Sequence, residues 1–563
     1  MRKLGKLNPH QSRVFWIAVM TGETTFSAWD SCGCTRLTTI RGGHIIGSKE
    51  MGSGRLVANQ GGKSPTKGGG SITGWAGLLP DVRPMSTHPL EKILHPRSIA
   101  VVGASGNPDA LGYGFTRHLL DYGYRGRIYP INPNYSEVLG IKAYPSLNEV
   151  PDSVDYVISC IPASAVLGML RDASQKGVRA VHLFTGRFSE TGRKEAADLE
   201  REILKQARAS GIRLIGPNCM GLYYPREGVS FGYDFPKEPG PVGLASQSGG
   251  GATYFIHLAS LRGIRFSKVI SYGNALDFNE CDFLDYFAQD TETEIILLYV
   301  EGATSGRRFF DTLRRAAASK PVIVVKGGRG KAGMRAAASH TAALASSMRT
   351  WESLVAQAGA ISAQDFDEMA DLAVSFRYLP RIRGARVGIV GVGGGPSVLA
   401  ADQCEEAGLD VIPLPTEIRE ELRNRNVPIW DWIGNPTDVS IVGGFITGVE
   451  MLQMMAKNQS FDLLIGIINE DAPAVKAGMI GRMRTDVKGY IKVKKECLKP
   501  LLAVVGEKGP GLKDHNHWRC RMLSEARTKL LAATIPVYPT VGRAARAARK
   551  LVDFYRRREQ NHL

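Results

Sequence analysis

The sequence lacks the features of a membrane protein and of a metal-binding protein. Its 563 residues contain no run of 18 apolar residues, so no transmembrane helix is predicted. The eight cysteines include no Cys-x-x-Cys pair, and the closest two, Cys32 and Cys34, stand apart from any other metal-ligand pattern. We therefore expect no membrane partner, no metal held by this chain, and a reducing, cytoplasmic environment.

Concentrated positive charge is also missing, although the net charge is +17. Residues 1–84 hold 11 Lys and Arg against 4 Asp and Glu, whereas the remaining residues hold 60 against 50. No stripe of Lys and Arg with interleaved aromatic residues is present, which is the pattern typical of nucleic-acid binding. We expect no specific nucleic-acid partner, and any binding of DNA would be confined to the first 84 residues.

Residues 1–84 differ from the rest in composition. They contain 15 glycines and show no sustained period of 2 or 3.6 residues, so no helix or strand is predicted there. An apolar strand follows within 14 residues of Met85. We expect residues 1–84 to be disordered or an upstream non-native segment, with Met85 as the natural start.

From residue 85 onward, apolar strands alternate with amphipathic helices, which predicts an α/β fold with parallel sheets. The pattern restarts twice, at "PVGLASQSGGG" and at "ARVGIVGVGGG", and the segments 224–241 and 377–386 read as linkers. We predict three consecutive Rossmann/flavodoxin-like domains. Their boundaries are 85–236 for a cofactor-binding domain, 237–380 for a second domain and 381–563 for a third.

The glycine-rich turn of the first domain, "GASGNPDALGYG" at 103–114, opens a helix. Backbone N–H groups at a helix N-terminus attract phosphate. The turn lacks the GxGxxG pattern, however, and the second strand ends in Asn132 and Asn134 instead of an acidic residue that would hold a ribose. This disfavours an NAD(P)-dependent oxidoreductase. It leaves open another phosphate-bearing adenine cofactor, or a turn that serves packing alone.

Two further glycine turns and one histidine suggest phosphoryl chemistry. The turns at 245–251 and 391–397 also precede helices, and together they would hold one phosphoryl group without a metal. His340 lies among small residues that leave space for a phosphoryl group. Glu301 ends a buried strand and is a candidate partner for the imidazole. On composition alone, an exposed histidine with no function remains the alternative.

Six segments in order carry a family resemblance: "SIAVVGAS", "IGPNC", "GLASQSGGG", "LLYVEG", "KPVIVVKGGR" and "SHTAALA". Over about residues 90–560 the chain resembles the α subunit of NDP-forming (ADP-forming) acyl-CoA synthetases, in the succinyl-CoA synthetase superfamily. The resemblance implies a first domain that binds coenzyme A, a second that carries a phosphohistidine loop, and a third ligase domain. It also implies that an acid and coenzyme A are joined through phosphohistidine and acyl phosphate intermediates.

The resemblance assigns roles to individual residues. It implies that His340 is the phosphorylated residue and that Glu301 supports it as the second catalytic residue. Cys219 is expected to pack near the coenzyme A thiol and not to act as a nucleophile. The implied phosphate-binding residues are Ser246, Gln247, Ser248, Gly249 and Gly250 of one turn and Gly393, Gly394 and Gly395 of the other. The implied coenzyme A-binding residues are Gly103, Ala104, Ser105, Gly112, Asn132, Pro162, Phe184, Thr185, Asn218 and Cys219.

The chain departs from the family pattern in two ways. Many relatives read "SHTGSLAG", where this chain has Ala342, Ala343 and Ser346. No ATP-grasp region of the family kind is recognisable, so we expect a separate ATP-grasp β subunit that supplies ATP/ADP and Mg²⁺, and hence a hetero-oligomer. The other substrate is expected to be a small carboxylic acid or its acyl-CoA. A non-catalytic, regulatory protein that binds coenzyme A or acyl-CoA is the alternative function.

Overall fold

The computed structural model describes residues 88–340, 348–438, 440, 444–468, 476–506 and 516–560. The expectations for residues 1–84 and for Ala342, Ala343 and Ser346 lie outside the described residues. Among the helices that the structure describes, none has the length and apolar character needed to cross a membrane.

The first sheet is parallel and has the strand order β2-β1-β5-β6-β7. The small hairpin β3–β4, which the sequence did not predict, lies outside it. The strands are β1 (Ser98–Val102), β2 (Arg127–Ile131), β3 (Glu137–Val138), β4 (Ile141–Lys142), β5 (Tyr156–Ser159), β6 (Ala180–Leu183) and β7 (Arg213–Ile215), and the helices are α1 (Glu91–Leu94), α2 (Leu111–Asp121), α3 (Val166–Gln175) and α4 (Lys194–Ala209).

The second sheet has the order β13-β12-β11-β9-β10-β8, and only β8 runs antiparallel to its neighbour. Its strands are β8 (Gly221–Tyr223), β9 (Val242–Ser246), β10 (Phe266–Ser271), β11 (Ile295–Val300), β12 (Val322–Lys326) and β13 (Ile361–Ala363). The helices are α5 (Gly249–Leu261), α6 (Glu280–Gln289), α7 (Gly306–Ser319), α8 (Lys331–His340), α9 (Met348–Gln357) and α10 (Phe366–Tyr378).

The third sheet is parallel, with the order β15-β14-β16-β17-β18. Its strands are β14 (Val387–Val392), β15 (Thr437–Asp438), β16 (Leu463–Ile467), β17 (Leu501–Val504) and β18 (Val537–Tyr538). The helices are α11 (Gly394–Glu406), α12 (Thr416–Asn424), α13 (Gly448–Lys457), α14 (Lys476–Glu496), α15 (Trp518–Ala532) and α16 (Val541–Gln560).

These sheets confirm the predicted α/β class with several parallel sheets. The central strands β1, β9 and β12 are buried along their whole length, as expected for sheets covered on both faces. The domain boundaries stay predictions. Strand β8 lies within the predicted first domain, 85–236, but it pairs with β10 of the second sheet.

One element near the candidate site differs from the expectation. The sequence suggested a loop around His340, but Lys331–His340 form a helix, α8. The segment is rich in alanine, which has the highest intrinsic helix propensity, and this accounts for the helix reaching the histidine.

Candidate active site

Each of the three sheets has one point where consecutive connections leave in opposite directions. These points lie between β1 and β5, between β9 and β11, and between β14 and β16. Ligands of open α/β sheets bind beyond the carboxyl ends of the strands at such points. The predicted site residues follow these same strands: Gly103 comes after β1, Gln247 and Glu301 after β9 and β11, and Gly393 after β14.

A cavity of about 440 Å³ opens at the carboxyl edge of the second sheet. It has the size of a small-molecule site, for which about 300–1,000 Å³ is typical. Eight of the predicted site residues line it: Phe184, Asn218, Cys219, Gln247, Ser248, Gly249, Gly250 and Glu301. Among the described residues, four others line it that were not named individually as site residues: Gly186, Met220, Gly273 and Asn274.

Gln247 connects the glycine turn after β9 to Glu301. Its backbone N–H donates to the carbonyl oxygen of Tyr299 at 3.0 Å. Its side-chain oxygen accepts from the backbone N–H of Glu301 at 2.7 Å and from that of Gly302 at 3.4 Å. Because Gln247 is only 7% exposed, these bonds are shielded from water, and they fix the main chain of Glu301 at the cavity wall.

Two other side chains complete the surroundings of Glu301. The Tyr299 hydroxyl donates to the Glu301 carboxylate at 3.3 Å. The Lys326 ammonium group donates to the carbonyl oxygens of Glu301 and, at 2.6 Å, of Gly327. Burial lowers the pKa of Lys326, and the negative charge of Glu301 partly opposes this. Sequence reasoning missed Lys326, although it ends a buried strand just as the segment before Glu301 does.

Helix α5 begins at the cavity with three consecutive glycines, Gly249 to Gly251. The Ser248 hydroxyl caps the helix by accepting from the N–H of Gly251 at 3.0 Å. The Ser246 hydroxyl donates to the carbonyl oxygen of Ser248 at 2.8 Å, which stiffens the turn. A helix N-terminus carries partial positive charge, so this end of α5 is suited to an anionic group in the cavity.

The loop after β7 forms the opposite wall of the cavity. Asn218 has a left-handed backbone (φ 58°), and its side-chain amide donates to that of Asn274 at 3.4 Å. The Nε2 of the fully buried His182 donates to the carbonyl oxygen of Cys219 at 2.9 Å. Burial lowers the pKa of His182 to about 4, so the ring is neutral. Burial also raises the pKa of the Cys219 thiol, which fits the expectation that Cys219 is not a nucleophile.

The remaining predicted coenzyme A residues surround the carboxyl ends of β1 and β5. Asn132 donates to the carbonyl oxygen of Ala104 at 2.7 Å. The Ser105 hydroxyl accepts from the N–H of Asn107 at 3.0 Å, and the Thr185 hydroxyl donates to the carbonyl oxygen of Ile161. Pro162 precedes a short 3-10 turn. Gly112 lets α2 approach this edge, because a Cβ there would lie 2.0 Å from the carbonyl oxygen of Gly103.

The glycine turn of the third sheet is not among the described residues that line the 440 Å³ cavity. Gly394 and Gly395 begin helix α11 at the edge of the third sheet, with Gly393 at the N-cap. His340 is the last residue of α8, and its side chain lies outside the described part of the structure. Helix α8 runs alongside the 3-10 turn Ser189–Thr191. Within that turn the Glu190 carboxylate accepts from the cavity residue Asn274 at 2.7 Å.

Two family models match the chain. Residues 97–225 match a CoA binding domain, and residues 239–376 match a succinyl-CoA ligase like flavodoxin domain.

Among curated proteins, the chain is 35% identical over 435 residues to the α subunit of acetate–CoA ligase (ADP-forming) II from Pyrococcus furiosus, which covers 76% of this chain and 93% of the relative. The chain belongs to the ADP-forming acyl-CoA ligases, as an α-type subunit. The α subunit of ligase I from the same organism is 36% identical to it over 62% of this chain and 76% of the relative.

Solved structures agree with this family. A dinucleotide-forming acetyl-coenzyme A synthetase 1 from Ca. Korarchaeum cryptofilum, in complex with phosphate and ADP, is 32% identical, with a TM-score of 0.71. The match covers 84% of this chain and 99% of that chain. The acyl-CoA ligase family confirms the predicted acid–thiol ligase class, with coenzyme A and a nucleotide involved, and it does not support the regulatory alternative. Naming of the relatives as α subunits implies a partner subunit.

Proposed function

We propose that this chain carries the phosphohistidine half of an ADP-forming acyl-CoA synthetase. His340 takes up a phosphoryl group and passes it to a small carboxylic acid, and the resulting acyl phosphate is attacked by the coenzyme A thiol. The observation that carries the proposal is the cavity that brings together Glu301, the N-terminus of α5 and the Asn218–Cys219 loop. Such a transfer needs a carboxylate to support the imidazole, N–H donors to bind the phosphoryl group and a loop next to the thiol. Each of the three parts would supply one of these.

The charges in this cavity suit a phosphoryl group that arrives on an imidazole. A phosphorylated ring needs a hydrogen-bond acceptor for its second nitrogen, and the Glu301 carboxylate is such an acceptor. The Tyr299 hydroxyl donates to this carboxylate, and Gln247 and Lys326 fix the main chain of Glu301. The phosphoryl oxygens need donors, which the N-terminus of α5 offers. Gly393, Gly394 and Gly395 at the start of α11 are proposed to bind the same group from the third sheet. Such fixed donors stabilise the transferred charge without reorganisation.

The edge of the first sheet fits coenzyme A. The close contact between Gly112 and Gly103 brings the start of α2 against the end of β1, where the N–H groups of the helix N-terminus would bind a phosphate group of the cofactor. Ser105 and Thr185 add hydroxyl groups there. Phe184 contributes both to this edge and to the cavity. We propose that the thiol end of coenzyme A enters the cavity between Phe184 and Asn218.

The nucleotide is proposed to bind to a separate ATP-grasp β subunit. Among the described residues, no group of three or more His, Cys, Asp or Glu side chains is placed to hold a metal ion. Mg²⁺ is therefore proposed to bind with the nucleotide on the partner, where it would neutralise phosphate charge. The α subunits among the relatives support such a division of labour.

The test runs the transfer backwards. The full chain is incubated with acetyl-CoA and labelled inorganic phosphate, and the protein is assayed for an acid-labile, base-stable phosphoryl group. We expect label on the wild type and none on His340→Ala, because the imidazole is the acceptor. Other acyl-CoAs extend the panel and report which acid is used.

Coenzyme A binding measured by calorimetry serves as the control for folding of the variant. If the protein binds coenzyme A but takes up phosphoryl label with none of the acyl-CoAs, the ligase proposal is contradicted. That result would favour a non-catalytic protein that binds coenzyme A. Label that persists on His340→Ala would place the acceptor elsewhere.

A further inference from the structure

Lys326 is a buried cation next to the proposed catalytic carboxylate, and none of the proposed steps uses it. It is the last residue of β12, and the register pairs it with Val300 of β11, the residue before Glu301. The side chain is 5% exposed. Its ammonium group therefore lies at the carboxyl edge of the sheet, beneath the wall of the cavity.

Three groups surround this ammonium. It donates to the carbonyl oxygens of Glu301 and Gly327. Its Nζ lies 5.7 Å from the centre of the Trp351 ring, within the range of a cation–π contact. Trp351 is itself fixed by stacking on Phe309 at 5.3 Å. The carbonyl oxygens of Glu301 and Gly327 and the ring of Trp351 thus fix the position of the cation.

A buried lysine is costly where packing is the only requirement. Desolvation disfavours its charged form, and an apolar side chain of similar volume would fill the site at no such cost. The nearby negative charge is that of Glu301, and it opposes the effect of burial on the lysine. Gln247 accepts from the backbone N–H of Glu301 and Lys326 donates to its carbonyl oxygen, so the two side chains together hold both backbone polar groups of Glu301.

We propose that Lys326 is a positioning residue of the ligase reaction: its ammonium group fixes the main chain of Glu301 and offsets the carboxylate's charge, so that Glu301 is held ready for phosphorylated His340. The inference rests on the proposed function. Lys326 acts through Glu301 and forms no bond to substrate.

The variants separate the effect of the charged hydrogen-bond donor from that of packing. Lys326→Met keeps the volume and removes the cation, whereas Lys326→Arg keeps the cation. Lys320→Met is the matched control, because Lys320 also donates to two carbonyl oxygens, those of Phe287 and Asp290. It lies just before β12, at the opposite edge of the same sheet. Circular dichroism and coenzyme A binding check that each variant is folded.

The measurement is the initial rate at which label from inorganic phosphate and acetyl-CoA enters the protein, over a range of acetyl-CoA concentrations. We expect Lys326→Met to lower the maximal rate by roughly 10²-fold, the loss expected for a misplaced catalytic group. The half-saturating acetyl-CoA concentration should not change. Lys326→Arg should recover most of the rate, and Lys320→Met should label like the wild type.

Each other outcome overturns the inference. A wild-type rate in a folded Lys326→Met, or an equal loss in Lys320→Met, would show that Lys326 has no special relation to Glu301. If Lys326→Met does not fold, a Lys326→Arg that folds and fails to label would do the same. Absence of label on the wild type would overturn the proposed function, and this inference with it, so the two failures are distinguishable.

Discussion

Gly273 is the residue whose lack of a side chain most directly shapes the cavity. Its backbone is left-handed (φ 54°), and a Cβ there would lie 2.1 Å from the carbonyl oxygen of Pro217 and 2.4 Å from that of Asn218. The loop after β10 thus touches the loop after β7 backbone to backbone. The position of Asn218 in the cavity depends on this contact.

We predict that Gly273→Ala displaces the Pro217–Asn218 backbone. The clash and the left-handed backbone should cost about 1–3 kcal/mol of stability, and labelling of the protein from acetyl-CoA and phosphate should fall. Thermal unfolding and the labelling assay measure the two effects. Gly123→Ala is the control, because Gly123 is also left-handed (φ 70°) but a Cβ there meets nothing within 4 Å. Equal behaviour of the two variants would attribute the effect to backbone strain alone.

Some site residues follow from sequence and others do not. Glu301 was predicted because it follows a buried apolar strand, and Lys326 ends the adjacent strand, so the same signal points to it. Gly273 and Asn274 carry no such signal, since their importance comes from a contact with a loop of another sheet. Sequence periodicity reports burial along one element, not which loops meet across two sheets.

At the scale of elements, the long strands and amphipathic helices were predictable because their apolar residues repeat at the right period. The apolar run in "SIAVVGAS" forms β1, and α4 spans Lys194–Ala209. Short elements were not predictable. Strand β8 has only three residues, and its membership of the second sheet is decided by its pairing with β10.

The short helix α1 is tied to the 3-10 turn Pro225–Glu227 by His95. The imidazole lies 3.2 Å from the Glu91 carboxylate and 3.8 Å from that of Glu227. Burial alone would lower the pKa of His95, but the bonds to Glu227 and Glu91 outweigh it and raise the pKa to about 9. The folded protein therefore holds a proton that the unfolded chain releases at lower pH.

We predict that this tie weakens as the pH rises. A raised histidine pKa stabilises the fold fully below the ordinary value of 6.5, and the contribution is lost as the pH rises through about 9. With allowance for partial solvent exposure, the loss should be about 2 kcal/mol. The measurement is the difference in unfolding midpoint between wild type and His95→Gln across this window. A difference that does not change with pH would contradict the assignment.

At the scale of the whole molecule, one carboxylate joins the second sheet's layer of helices to the C-terminal helix. Asp371 of α10 accepts from Arg262, just after α5, at 2.8 Å and from Arg543 of α16 at 2.5 Å. The Asp371 side chain is 3% exposed. Close by, the hydroxyl oxygens of Ser375 and Tyr538 are 2.7 Å apart, which connects α10 to β18 of the third sheet.

The contacts around Asp371 bear on the reaction, because the N–H groups proposed to bind the phosphoryl group come from helices of two sheets. Helix α5 begins at the Ser248 turn and is followed by Arg262, whereas α11 begins at Gly394 and packs against α16. A change at Asp371 therefore acts on the seating of both helices without touching the cavity itself.

We predict that Asp371→Ala destabilises the protein by about 1.5–3 kcal/mol, because two largely buried guanidinium groups each lose a charged hydrogen bond. Both keep Asp367 as a partner, which lies 2.8 Å from Arg543 and 3.9 Å from Arg262. Asp311→Ala is the control: it breaks an exposed pair with Arg307, 3.0 Å apart, and should cost less than about 1 kcal/mol. Thermal unfolding gives both values. At temperatures below its unfolding transition, the Asp371→Ala protein should also take up phosphoryl label more slowly. The reason is that the N-termini of α5 and α11 would no longer be held at a fixed separation. Normal labelling in a destabilised Asp371→Ala would mean that the turn at Gly393 to Gly395 does not share the phosphoryl group with α5.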